Sequence, residues 1–154
     1  MSTRNPSTSK PHVLDLDRQI CHSLYSAANA LVRAYRPLLQ QLDLTYPQYL
    51  VMLSLWQRDG VSISSLAEHT RFDAGTLTPM LKRLQDKGLI DIRVAQEDER
   101  RREISVTNNG RTLRKAAQNI PEQILCTVDM PAEDGLQLKA LCETLIEKLG
   151  TDPN

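Results

Sequence analysis

Cys21 has the most suggestive chemical surroundings in this 154-residue chain, because Tyr25 follows it by four positions. On a helix the thiol and the phenol then share one face, about a turn apart. A phenolic hydroxyl donating to sulfur favours the thiolate, the nucleophilic form that attacks a peroxide oxygen, and a nearby Arg or Lys adds to this. Apolar walls around such a thiol select alkyl peroxides. The plainer reading is a small hydrophobe on an apolar helix face, since cysteine is among the most buried residue types. Tyr35 stands 14 residues beyond Cys21. It points within about 40° of the same direction but lies about 21 Å further along a helix axis. The two cannot meet within one chain unless the helix breaks sharply; if they meet, the spacing requires that they do so across an antiparallel dimer interface. Tyr46 and Tyr49 can complete such a pocket.

The other cysteines, Cys126 and Cys142, stand far from Cys21, and no CxxC pair occurs. His12, His22 and His69 add no zinc spacing near them. No metal and no cofactor is expected. In a reducing cytosol these thiols are expected to be free, any disulfide being transient and regulatory. No run of about 18 apolar residues occurs and the opening residues lack an apolar leader, so a cytoplasmic, folded protein without a membrane span is expected. Formal net charge is zero. The balance is uneven: residues 61–115 carry 11 basic and 8 acidic side chains, whereas residues 116–154 carry 2 and 7. A locally basic middle is what phosphate binding requires, whatever the total.

Residues 1–12 are rich in Ser, Thr and Pro and read as a disordered arm. Leu16, Ile20, Leu24, Ala27, Leu31, Ala34 and Leu38 recur at helical spacing and predict a long first helix, kinked or ended at Pro37. Thr45 with Gln48 forms a capping box for a second helix that runs to about Arg58 and closes at Gly60. Ser62 caps a short helix to Thr70, and a further helix spans Ala74–Lys87 with Gly88 at its end. Residues 89–95 and 103–107 alternate like strands around a charged turn, predicting a hairpin. Residues 108–128 read as a helix interrupted at Pro121, and a last helix follows Pro131 to about Leu149. The expected order is ααααββαα, a mostly α fold with a small β-hairpin wing and a helix-turn-helix.

A helix-turn-helix followed by a hairpin sets one helix in the major groove of double-stranded DNA and the hairpin tip beside it. Thr76 and Thr78 are expected near bases, and Lys82 and Arg83 on phosphates, while Leu77, Met80, Leu81 and Leu84 hold that helix to the core. Pro79 requires either a start near Thr76 or a kink. The alternative is an ordinary solvated helix. Arg100, Arg101 and Arg102 on the hairpin tip suit a narrow minor groove. Asp98 is poorly placed for phosphate; its expected role is structural, pairing with a nearby arginine and fixing the bend so that Arg100 or Arg102 faces DNA.

Residues 98–107, DERRREISVT, resemble the DxRxxxI/LxLT wing of the MarR family of bacterial regulators, and the order of elements over residues 13–149 is similar as well. The resemblance implies a winged helix-turn-helix homodimer binding a pseudo-palindromic operator. Residues 46–107 would form the DNA-binding lobe, and residues 13–45 with 108–150 the dimerisation helices. Residues 19–25 (QICHSLY), 33–39 (RAYRPLL), 44–50 (LTYPQYL) and 75–84 (GTLTPMLKRL) further resemble the organic hydroperoxide resistance regulators, a branch of that family. That resemblance implies a repressor, with Cys21 as the peroxide-reactive sensor and Tyr25, Tyr35 and Tyr46 as the phenols bonded to it. In members with two functional cysteines a second thiol resolves the oxidised one. Cys126, on the segment after Pro121, fits that role through its position relative to Cys21, and Cys142, among leucines at helical spacing, is the other candidate. Two alternatives stand beside this reading: a MarR-type repressor answering a noncovalent ligand, and a thiol peroxidase, in which the wing would have no role.

Overall fold

The computed structural model describes residues 12–150, so the expected N-terminal arm lies outside the described residues except for His12. The chain divides into two units, residues 1–33 and 34–154. In the first, a 3-10 turn over Leu16–Arg18 precedes helix α1 (Ile20–Gln40), which crosses the division. The apolar repeat predicts an earlier start. Local side-chain bonds explain the delay: Gln19 Nε2 donates to the carbonyls of Val13 (2.8 Å) and Asp15 (3.0 Å), and the His12 N–H donates to the Asp15 carboxylate at 2.6 Å. Such bonds give the backbone an alternative to the helical ladder. Pro37 does not end α1, which continues to Gln40.

In the second unit, α2 (Tyr46–Gln57) opens with the expected capping box. Thr45 Oγ1 accepts the Gln48 N–H at 3.3 Å, and Gln48 Oε1 accepts the Thr45 N–H at 3.1 Å. A two-residue strand β1 (Val61–Ser62) leads into α3 (Ile63–Thr70), whose Ser62 cap accepts the Ser65 N–H. Arg71, in the left-handed region at φ 60°, ends α3 and starts the turn to α4 (Ala74–Asp86). Pro79 sits inside α4, which neither begins at Thr76 nor stops there. The carbonyl that loses its donor belongs to Gly75, on an exposed stretch where water can replace it. Gly88, at φ 71°, takes the chain out of α4, with Leu89 N–H returning to the Leu84 carbonyl.

Strands β2 (Ile90–Ala95) and β3 (Asp98–Val106) pair antiparallel, and β1 pairs with the other edge of β3. The predicted two-stranded hairpin is therefore a three-stranded sheet of order β1-β3-β2. Val61 opposite Ile104 is too short a run to show a period of its own. Helices α5 (Asn108–Ala117), α6 (Ile120–Val128) and α7 (Ala132–Leu149) complete the fold. The expected interruption falls at Gln118–Asn119, so Pro121 lies in the first turn of α6, where its missing N–H costs nothing. One apolar cluster joins Leu39, Met52, Leu55, Leu66, Leu77, Leu81, Leu84, Ile90 and Ile104. It holds α2, α3, α4 and the sheet as one body. No helix among the described residues is long and apolar enough to cross a membrane.

Candidate functional site

Helix α4 has two faces. Leu77, Met80, Leu81 and Leu84 are buried, as expected, and Thr76, Thr78, Lys82 and Arg83 are exposed on the other side. Asp73 caps the helix, its carboxylate accepting the Thr76 N–H at 2.8 Å and the Thr76 hydroxyl at 2.7 Å. The bonds from the Thr76 side chain and backbone hold the Asp73 carboxyl below its ordinary value. The Thr78 hydroxyl donates to the Ala74 carbonyl at 2.9 Å. Both threonine hydrogens are thus engaged within the helix, leaving oxygen lone pairs and methyl groups to face outward. Lys82 pairs with Asp86 at 3.1 Å, a solvated i,i+4 pair that is readily exchanged for phosphate. Among the described residues Arg83, Arg100, Arg101 and Arg102 form no ion pair and are exposed.

The turn of the wing is Gln96–Glu97, and Asp98 already belongs to β3. The arginines therefore lie along a strand rather than on a loop tip. The ladder is irregular between Val94 and Ala95, which pair with Arg102 and Asp98 respectively. Asp98 Oδ1 accepts the Arg100 N–H at 2.9 Å, so its contact is with the arginine's backbone and not with a guanidinium. A tight polar turn bonded to the main chain leaves the cationic heads unengaged. At the base of the wing, Asp59 Oδ1 accepts the N–H groups of Val106 (2.8 Å) and Gly60 (3.0 Å), while Oδ2 meets Arg111 at 3.3 Å. Arg71, in the helix-turn-helix turn, pairs with Glu143 of α7 at 2.7 Å, and this bond holds the Glu143 carboxyl low. Sequence reasoning missed Asp59, Arg71 and Glu143. Only the Asp73 cap had a local signal, an aspartate three residues before a threonine at a helix start.

Tyr35, Tyr46 and Tyr49 come together. The Tyr35 ring lies 4.9 Å from that of Tyr46 and 5.7 Å from that of Tyr49, centroid to centroid. Burial, then the neighbouring Tyr46 and Tyr49 phenols, push the Tyr35 hydroxyl up to about 12, and burial raises Tyr46 and Tyr49 as well. At neutral pH all three remain protonated donors. Cys21 and Tyr25 lie on α1 in the first unit, both exposed. Cys126 on α6 is exposed and Cys142 on α7 is partly buried. No cluster of three metal-ligating side chains occurs among the described residues.

Residues 33–117 match the family model described as transcriptional regulator SarA/Rot. The chain is 41% identical to the organic hydroperoxide resistance transcriptional regulator of Bacillus subtilis, over 88% of this chain and 92% of that one. Among solved structures it resembles the overoxidised AbfR of Staphylococcus epidermidis bound to DNA, with a TM-score of 0.71 and 33% identity over 86% of this chain and 93% of that one. It also resembles disulfide-formed AbfR, with a TM-score of 0.59 and 32% identity over 87% of this chain and 89% of that one. On its winged helix-turn-helix fold, its exposed basic face and these relatives, the chain belongs to the MarR/SarA family of DNA-binding transcriptional regulators and is not an enzyme.

Proposed function

We propose that this chain is a homodimeric repressor that senses organic hydroperoxides through Cys21. The observation that carries the reading is the cluster of Tyr35, Tyr46 and Tyr49, in which the Tyr35 ring packs 4.9 Å and 5.7 Å from the other two, centroid to centroid, and gathers three phenols that are protonated at neutral pH. Donors of this kind stabilise a thiolate. Helical rise separates Cys21 from Tyr35 of its own chain, so the thiol meets the partner's cluster across the dimer, with Tyr25 beside it on the same helix face. The Cys21 thiolate attacks a peroxide oxygen. The O–O bond breaks, the alcohol leaves with a proton, and sulfur is oxidised to the sulfenic acid. A second thiol then displaces water to form a disulfide. Cys126 takes that role because it is exposed on α6, whereas Cys142 is partly buried.

The disulfide would link subunits and rotate the two lobes about their helical stalks. That changes the spacing of the α4 helices from the roughly 34–36 Å that fits successive major grooves, and DNA is released. A relative has been obtained both overoxidised on DNA and with a disulfide formed, which favours the disulfide as the releasing step. On DNA, Thr76 and Thr78 of α4 face bases, Lys82 and Arg83 meet phosphates, and Arg100 or Arg102 enters the minor groove beside the Asp98 turn.

A gel shift tests the reading. Reduced protein binds its operator, organic peroxide releases it, and Cys21→Ser stays bound; release of that variant by peroxide would show that Cys21 is not the sensor and favour a noncovalent ligand.

A further inference from the structure

Lys87 follows the last residue of α4 and is its C-cap. Its ammonium donates to the Asp43 carbonyl and to Gln48 Oε1 at 3.4 Å, and lies 3.2 Å from the Asp43 carboxylate. An ammonium has three hydrogens, and three acceptors surround this one. Asp43 occupies the loop between α1 and α2 in the left-handed region at φ 52°. Gln48 stands between Tyr46 and Tyr49 on α2 and is only 4% exposed. The same Gln48 oxygen also accepts the Thr45 N–H at 3.1 Å, so one atom gathers the cap of α2 and the end of α4. The Lys87 side chain is 29% exposed, whereas that of Asp43 is 90% exposed. The carboxylate contact is therefore a weak surface pair, and the buried Gln48 amide is the least exposed acceptor of the link. The cation also sits where the negative end of the α4 dipole favours it.

We propose that Lys87 is a positioning residue that ties the C-terminal end of the DNA-reading helix α4 to the tyrosine-bearing start of α2. It fixes the DNA-bound orientation of α4 and carries movement of the tyrosine cluster to it. The second half rests on the sensing role given to those tyrosines above. With the Asp43 carbonyl and Gln48 as acceptors, Lys87 keeps for phosphate only the hydrogen that faces the exposed Asp43 carboxylate, and the salt slope reads whether that hydrogen is used. Gln48 and the Asp43 carbonyl are separated from Lys87 by 39 and 44 residues, so the link couples distant parts of the chain.

The test uses the reduced full-length protein and a duplex that the wild type selects from a random pool, read by fluorescence anisotropy across a salt series. Lys87→Met keeps the stem and removes the donors. It should bind about ten-fold more weakly, the loss expected if α4 then holds its binding-competent orientation about one tenth of the time, with an unchanged salt slope. Gln48→Met should weaken binding too, and the double variant should be no weaker than the worse single one. On oxidation with tert-butyl hydroperoxide, thiol loss should proceed at the wild-type rate, while the oxidised-to-reduced affinity ratio of Lys87→Met moves closer to one. Unchanged affinity in Lys87→Met overturns the proposal. So does a salt slope lowered by about one, which marks a phosphate contact, and so does full additivity with Gln48→Met. An unaltered oxidised-to-reduced ratio overturns the coupling half. If peroxide fails to release the wild type, the sensing role falls, while the ten-fold loss in reduced Lys87→Met still supports positioning.

Discussion

A phenol holds its proton more tightly once its ring leaves water, because burial penalises the phenolate. Tyr35, raised to about 12 by burial and by Tyr46 and Tyr49, binds its proton more strongly folded than unfolded. Its contribution to stability is therefore complete below the ordinary value of 10.0 and is lost as pH rises toward about 12. Ultraviolet titration should show a phenolate transition near pH 12 that disappears in Tyr35→Phe, and denaturant midpoints should fall between pH 10 and 12 less steeply in that variant. Loss of this donor should also slow Cys21 oxidation about ten-fold, the effect of removing one hydrogen bond to a charged group. Asp73 runs the other way: its lowered carboxyl stabilises the α4 cap at neutral pH and the benefit disappears as pH falls through its folded-state value. On the wing, Arg100 is exposed and unpaired among the described residues. Arg100→Ala should weaken DNA binding and reduce the salt slope by about one, which a salt series of anisotropy titrations measures.

At the scale of elements, the wing is attached through α5 and α2. Gly110, buried at the start of α5, leaves no room for a methyl group: a Cβ there would meet the Leu89 carbonyl and come within 2.6 Å of Val106 Cγ1. Its carbonyl accepts the Trp56 indole N–H at 3.0 Å, which brings α2 against the same point. Gly110→Ala should destabilise by about 1–3 kcal/mol through overpacking against backbone, measurable by urea unfolding. Thr107 works beside it, accepting the Gly110 N–H at 3.1 Å and donating to the Gly88 carbonyl at 2.6 Å. One threonine thus caps α5 and clamps the loop that leaves α4, a physical reason for threonine at the end of the wing motif.

At the scale of the molecule, α7 is an 18-residue helix with no buried residue in the single chain. Leu136, Leu138 and Leu141 on it, and Leu125 on α6, are all exposed. Such an apolar surface suits a second copy of the chain, as the proposed homodimer requires. Leu141→Lys should shift the protein toward monomer in sedimentation velocity and lower operator affinity by more than ten-fold, since one lobe then meets one half-site. After peroxide treatment, Cys126→Ser should retain oxidation of Cys21 but lose the dithiothreitol-reversible crosslinked dimer on a nonreducing gel. A normal crosslink in that variant would assign the resolving role to Cys142.

Local chemistry made much of this protein legible from its sequence alone. The caps at Thr45 and Ser62, the exit at Gly88 and the 3.6-residue repeat of α4 each act within a few residues, and the structure contains all of them. The wing motif, likewise local, carried the family. Its turn was read too broadly, because charge alone does not separate an arginine on a strand from one on a loop, and only the pairing with β2 does. Tertiary structure alone decided the rest. Strand β1 exists because β3 offers an edge, and Asp59 reaches Val106 across 47 residues and Arg71 reaches Glu143 across 72. The company of Tyr49 with Tyr35, and of Lys87 with Asp43 and Gln48, depends likewise on how helices stack. A side chain's partners across such distances follow from packing of the whole core, which no spacing within one segment encodes.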